Sequence, residues 1–190
     1  MRGFAKIAFT PAVKAAQERM GSRRAYARME GGTDRPDTLG EDEIAFLAER
    51  DSFYMASTGE SGWPYIQHRG GAKGFVRVLD ERTLAFADMP GNRQYVSVGN
   101  VAVDDRVALI FVDYPNRARL KVLAHARIFT RADDPETFDR VAGDGGAERV
   151  FVLRVQGLDW NCSRYITPRF TEEELGSLWI PEVALSGGKG

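Results

Sequence analysis

In the stretch "RLKVLAHARIF", residues 119–129, the apolar side chains recur at every second position. Leu120, Val122, Ala124, Ala126 and Ile128 fall on one side; Arg119, Lys121, His125 and Arg127 fall on the other. That period belongs to a strand with one core-facing side and not to a helix. Just before it, "RVALIFVDY" is a near-continuous apolar run, the pattern of a strand covered on both faces. "ERVFVLRVQGLDW" reads as a third long strand. Shorter runs precede them: "FYMAST", "YIQHR", "GFVRVLD" and "TLAFAD", the last pair joined by a tight "DER" turn. Strands 53–130 mostly follow one another without crossover helices, which disfavours a parallel α/β sheet. Six or more antiparallel strands with few helices predict a mainly β domain with peripheral helices, closed or nearly closed into a barrel.

The helical signals lie outside these strands. In "TPAVKAAQERMGS", Thr10 is a cap, Pro11 suits the first helical position and Gly21 the stop. "TLGEDEIAFLAER" predicts a second helix, with Thr38 and Glu41 as a capping box. Further helices are predicted at "NRQYVSVGNVA", "DPETFDRVA" and "TEEELGSLW". The expected organisation is a helical extension over residues 1–50, the barrel over 51–170, and a C-terminal helix and tail over 171–190.

Composition narrows the function classes. The 190 residues carry a net charge of -1, so no basic excess points to nucleic acid. One cysteine, Cys162, excludes an intrachain disulfide, and two histidines with one cysteine argue against a structural zinc site. Neither a signal-peptide-like run nor a segment long enough to span a bilayer is present, so a soluble cytoplasmic protein is expected.

Four stretches carry candidate chemistry. "HRGGAKGF", residues 68–75, combines three glycines with Arg69 and Lys73, but lacks the spacing of a Walker loop and leads into a strand. It is either a close-approach loop for a ligand or a bulged connection with solvated basic residues. "FADMPGNRQYVSVGN", residues 86–100, ends a strand at Asp88 and offers Asn92 as an N-cap, with Arg93 in the first helical turn. A cation there opposes the helix dipole, a conflict an anion would resolve; the alternative is that Arg93 points into water. The charged side of strand 119–129 is either a solvated face or a pocket wall built from Arg119 and Lys121 with Arg93. In "LDWNCSRYITPRF", Trp160, Tyr165 and Phe170 interleave with Arg164 and Arg169, which suits a planar anion or a dimer interface equally.

"GFVRVLDERTLAFAD", "MPGNRQ" opening a helix, "RVALIFVDY" and "RLKVLAHARI" together resemble the pyridoxamine 5′-phosphate oxidase-like, FMN-binding split-barrel proteins. The resemblance spans about residues 45–165 and is nearest to the oxidase-related branch in "PYIQHRGG" and "GNRQY". It implies a six-stranded antiparallel split β-barrel, a homodimer, FMN at the dimer interface and a small-molecule substrate. By resemblance, Arg77 stands where a basic residue contacts FMN. An Arg-Lys pair that binds the phosphate reads Arg93-Gln94 here, one charge short. Arg119 stands where a glutamine contacts the flavin, with Lys121 on the same face. Trp160 and Arg169 match a late Trp and Arg by order. Gly74, Phe75, Asp88 and Asn92 complete the expected cofactor-binding set with Arg69 and Lys73. The true oxidase's C-terminal substrate-phosphate motif has no clear match in "TPRFTEEELGSLWIPE", so the substrate is left open. The implied activity is hydride transfer between substrate and flavin; the alternative on the same barrel is a non-catalytic flavin- or haem-binding protein.

Overall fold

The computed structural model describes residues 3–31, 35–143, 145–160 and 163–177. Its centre is one antiparallel sheet of seven strands. These are β1 (Ser52–Thr58), β2 (Pro64–Gly70), β3 (Arg77–Asp80), β4 (Thr83–Asp88), β5 (Arg106–Asp113), β6 (Ala118–Phe129) and β7 (Arg149–Trp160), in the order β2-β1-β5-β6-β7-β4-β3. The six strands that the resemblance implies are corrected to seven, one for each strand run of the sequence. β2 and β3 are kept apart by the glycine-rich stretch after Gly70. Gly74 has a left-handed backbone (φ 72°) and donates its N–H to Arg50 O, while the Phe75 N–H closes a turn on Ala72 O. The expected strand from Gly74 therefore begins only at Arg77, and β2 and β3 end on opposite edges of the sheet. The ladders leave these two edges unpaired among the described residues. The sheet is nevertheless curled: Arg69 of β2 forms an ion pair with Asp88 of β4.

The inner face carries the core. Phe53 packs against Phe86 and Phe111 with ring centroids 5.2 and 4.9 Å apart, and Phe86 stacks on Phe151 at 4.9 Å. Leu120, Val122, Ala124 and Ala126 are buried as their alternation predicts, whereas Ile128 is only partly covered. In β5, Val107, Leu109, Phe111 and Asp113 are buried while Ala108, Ile110 and Val112 are half-exposed, so its second face is less covered than the apolar run predicts.

Helices close the rest. Those in the N-terminal segment are α1 (Gly3–Ala8), α2 (Pro11–Arg19), α3 (Arg23–Ala27) with a 3-10 turn at Arg28–Glu30, and α4 (Glu41–Ala48). Thr10 caps α2 through Val13 N–H, as expected. The predicted Thr38–Glu41 capping box does not form. Gly40 is the cap, and the Glu43 carboxylate accepts its N–H at 2.9 Å, because the register of the helix starts two residues later. Leu47 of α4 is buried in the core. Beyond the first strands follow α5 (Val96–Val103), α6 (Pro135–Ala142) and α7 (Glu172–Ser177). Asp134 caps α6, whose Phe138 and Val141 cover Ala85 and Val150 on the outer face of β4 and β7. The end of the predicted "TEEELGSLW" helix, and Cys162, lie outside the described residues.

α1 is held against β7 by a specific buckle. The Asp37 carboxylate accepts the N–H groups of Gly3 (2.9 Å), Phe4 (3.0 Å) and Leu158 (2.9 Å). Gly157 lets the two backbones meet: a Cβ there would lie 2.6 Å from Phe4 Cα.

Candidate functional site

Near the end of β2, at the end of β4 and at the start of the antiparallel β7, each strand places one charged residue at the same end of the inner face, Asp88 and Arg149 being register partners. These residues are Arg69, Asp88 and Arg149. Asp88 is 7% exposed and lies between the two guanidinium groups, with Arg149 at 3.3 Å and Arg69 closer. Arg69 lies over the rings of Phe86 (5.6 Å) and Phe151 (5.2 Å), so its cation rests on the aromatic core. Its Nε is buried and lacks a hydrogen-bond partner among the described residues. A carboxylate between two guanidinium groups is neutralised, and one positive charge is left over.

The loop from Met89 to Tyr95 forms the other wall. Here the expected helix start is corrected. Asn92 is not an N-cap: its Oδ1 accepts the Gln94 N–H at 3.2 Å in a local turn. Arg93 and Tyr95 have positive φ (58° and 52°), which no helix interior accommodates, so α5 begins at Val96 with Tyr95 as its left-handed cap. Arg93 is thus in the loop, not in the first turn. It reaches Glu148 at 3.4 Å, and the Tyr95 hydroxyl donates to the same carboxylate at 3.4 Å. Glu148 also pairs with Arg149, whose guanidinium lies 4.7 Å from the Tyr95 ring centroid. Ser97 donates to Gln67 at 2.7 Å, tying α5 to β2 below. These elements enclose a cleft of about 230 Å³.

Of the sequence-predicted residues, the structure gathers Arg69, Asp88, Asn92, Arg93 and Gln94 around this cleft. Lys73 and Arg77 are exposed elsewhere, Arg77 lying opposite Ala85 in the β3–β4 register. Gly74 serves the turn already described, and Phe75 stacks on Phe53 at 5.7 Å as part of the core. Arg119, Lys121 and Trp160 form a second group at the far ends of β6 and β7. There Lys121 lies 3.9 Å from Asp159, whose carboxyl is pushed up by burial against the opposing pull of Lys121 and Arg119. Trp160 donates to Glu43 at 2.6 Å and meets Phe46 edge-on. Arg169 lies over Tyr114 at 5.0 Å. Within one chain the expected set is therefore split into separate groups. Sequence reasoning missed Glu148 and Arg149; the only signal was a charged pair at the start of a strand.

Lys121, Leu158, Asp159 and Trp160 also line a larger cavity of about 1240 Å³, roofed by α1, α2 and α3. Among the described residues no cluster of three metal-ligating side chains occurs, and no helix is long and apolar enough to cross a membrane.

Comparison with known proteins agrees with this architecture. Two solved structures share the fold. A HupZ variant from Group A Streptococcus is 13% identical, with 65% of this chain and 99% of that chain covered and a TM-score of 0.50. A candidate pyridoxamine 5′-phosphate oxidase from Lactobacillus delbrueckii is 22% identical, with 64% and 93% covered and a TM-score of 0.51. No curated protein matches the chain. At these identities the two structures speak for the fold alone. The sequence itself matches, over residues 41–158, the family model described as pyridoxamine 5′-phosphate oxidase, and the chain belongs to that family.

Proposed function

We propose that this protein binds FMN and acts as a flavin-dependent oxidoreductase on a small substrate, working as a homodimer. The observation that carries this reading is the convergence of Arg69, Arg93 and Arg149 on one cleft in a member of this family. A phosphate monoester dianion needs such guanidinium donors, and three cations against Asp88 and Glu148 leave the cleft net positive. The buried Nε of Arg69, without a hydrogen-bond partner among the described residues, is an unmet donor on a residue that lines the cleft. FMN, once bound, supplies hydride transfer at its N5, so the chain needs to contribute binding, orientation and exclusion of water.

The cleft of one chain is smaller than the ~300–1,000 Å³ usual for a cofactor-sized ligand, which favours a site completed by a second copy. The outer face of β2, β1 and β5 suits that role. Ile66 is 64% exposed and Tyr54 39%, beside half-exposed Ile110 and Ala108. An apolar face of this kind on an edge of the sheet marks an interaction surface. Lys121 pairs with Ile110 in the register of β5 and β6 and so borders it, as does Arg119 opposite Val112. A partner docked on this face would bring these cations toward its own cleft, reuniting the residues that one chain separates. A cation near the polar edge of the ring system would favour reduced, anionic flavin.

Purified protein should be yellow, absorb near ~450 nm and release FMN identifiable by mass. A colourless protein that takes up no added FMN overturns the reading. FMN uptake without turnover of NAD(P)H or small amines leaves binding and removes the enzymatic part.

A further inference from the structure

Glu148 has an unusual set of neighbours for a half-buried carboxylate. Its Oε2 takes a hydrogen bond from Arg149 Nη2 and one from the Tyr95 hydroxyl at 3.4 Å, and its Oε1 faces Arg93 Nη2 at 3.4 Å. Two guanidinium groups and a phenol thus converge on a single anion at the cleft. These donors come from the 89–95 loop and from β7, more than fifty residues apart in the chain. Arg149 itself is held in place independently by Asp88 at 3.3 Å and by the Tyr95 ring. Its orientation therefore survives the departure of Glu148. The Glu148 N–H donates to Asp88 O at 3.1 Å, so the backbone is anchored independently of the side chain's contacts.

We propose that Glu148 is an internal stand-in for the ligand phosphate, and that Arg149 supplies the positive charge absent at Gln94. In the free chain the carboxylate satisfies Arg93, Arg149 and Tyr95; a phosphate monoester displaces it and takes over the same donors. Asp88 is the permanent counter-charge that keeps Arg69 and Arg149 aimed at the cleft, and Glu148 is the exchangeable one. The site consequently rejects weak monoanions, which gain too little to expel Glu148, and selects a dianion. This inference rests on the flavin reading for the identity of the ligand, but not for the existence of the anion site.

The test uses the full-length protein and two variants, Glu148→Gln, which keeps the side chain's shape, and Arg149→Lys, which keeps its charge and removes the planar fork of donors. Inorganic phosphate, at constant ionic strength with chloride as the reference, should raise the melting temperature of Glu148→Gln more than that of the wild type. FMN should bind Glu148→Gln about tenfold more tightly and Arg149→Lys about tenfold more weakly, the scale of one charge-assisted contact. Riboflavin, which lacks the phosphate, should bind all three alike. Equal phosphate responses in wild type and Glu148→Gln overturn the proposal. So does a tightening that riboflavin shares. If phosphate discriminates the variants but neither takes up FMN, the anion site stands and the flavin reading falls. If all three bind FMN equally, the reading stands and the stand-in role falls.

Discussion

Two aspartates, Asp37 and Asp88, each gather donors from distant parts of the chain, and they do so in opposite ways. Asp37 accepts three backbone N–H groups, from Gly3, Phe4 and Leu158. Every donor is neutral, none can turn away, and Gly157 removes the last space between the two backbones. Asp88 accepts from two side-chain guanidinium groups, and both arginines line a cleft. The first arrangement fixes an extension to the sheet and leaves nothing to exchange. The second organises charge while leaving it available. The identity of the donors, more than the burial of the acceptor, separates a buckle from a site.

The sharpest break of the buckle is Gly157→Ala. Its Cβ would lie 2.6 Å from Phe4 Cα and 2.7 Å from Phe4 N, and backbone cannot yield as a side-chain tip does. The expected loss is about 2–3 kcal/mol, the scale of overpacking at a rigid contact. Because α1 alone is expelled, limited proteolysis should cut ahead of Asp37 while the sheet stays folded. Wild-type stability and protease resistance in this variant would show that the buckle does not hold α1.

Arg69→Ala tests the other member of the comparison. Asp88 keeps Arg149, so folding survives, but the cleft loses a cation seated on Phe86 and Phe151. FMN affinity should fall by roughly 1.5–3 kcal/mol, read by titration of flavin fluorescence. Affinity within twofold of the wild type would remove Arg69 from the site. The exposed Arg93, 69% accessible in its side chain, should matter less. Arg93→Ala should cost under about 1 kcal/mol of FMN binding, as solvent screens an exposed partner. An effect equal to that of Arg69→Ala would mean that the ligand buries Arg93.

How much of this was legible beforehand differs between the two regions. The strands were, because alternation at 119–129 and the apolar runs around it reflect a buried face directly. Thr10 was readable as a cap from an equally local signal. The loop was misread because Asn92 has the chemistry of a cap but spends its oxygen on Gln94 N–H, and the positive φ of Arg93 and Tyr95 has no sequence signature outside glycine and asparagine. Glu148 and Arg149 were invisible for a different reason. Their significance arises only when β7 is brought beside β4 and the 89–95 loop, in contacts between residues 53 to 61 apart. The glycines of 70–74 could be read either as a close-approach loop for a ligand or as a bulged connection. The amides of Gly71 and Gly74 bond Asp51 O and Arg50 O, so their freedom serves the connection between β2 and β3.

Asp159 supplies a third case that neither pattern covers, and the smallest effect. It has no set of amides, and its nearest cation, Lys121, is 3.9 Å away. Burial dominates and raises its carboxyl above the ordinary 3.8, with Lys121 and Arg119 opposing. A carboxyl raised in the folded state binds its proton more tightly there than in the unfolded chain. Stability from this group is therefore greatest at low pH and declines as pH rises from about 3.8 through the raised value. Asp159→Asn removes the charge that burial penalises, so it should match or exceed the wild type by a few tenths of a kcal/mol at pH 7. That advantage should shrink as the pH is lowered and the wild-type carboxyl takes up its proton. Urea midpoints at pH 7 and pH 4 measure the difference. A loss of stability at pH 7 would mean that Lys121 and Arg119 outweigh burial, placing Asp159 with Asp88 among the carboxylates that organise cations.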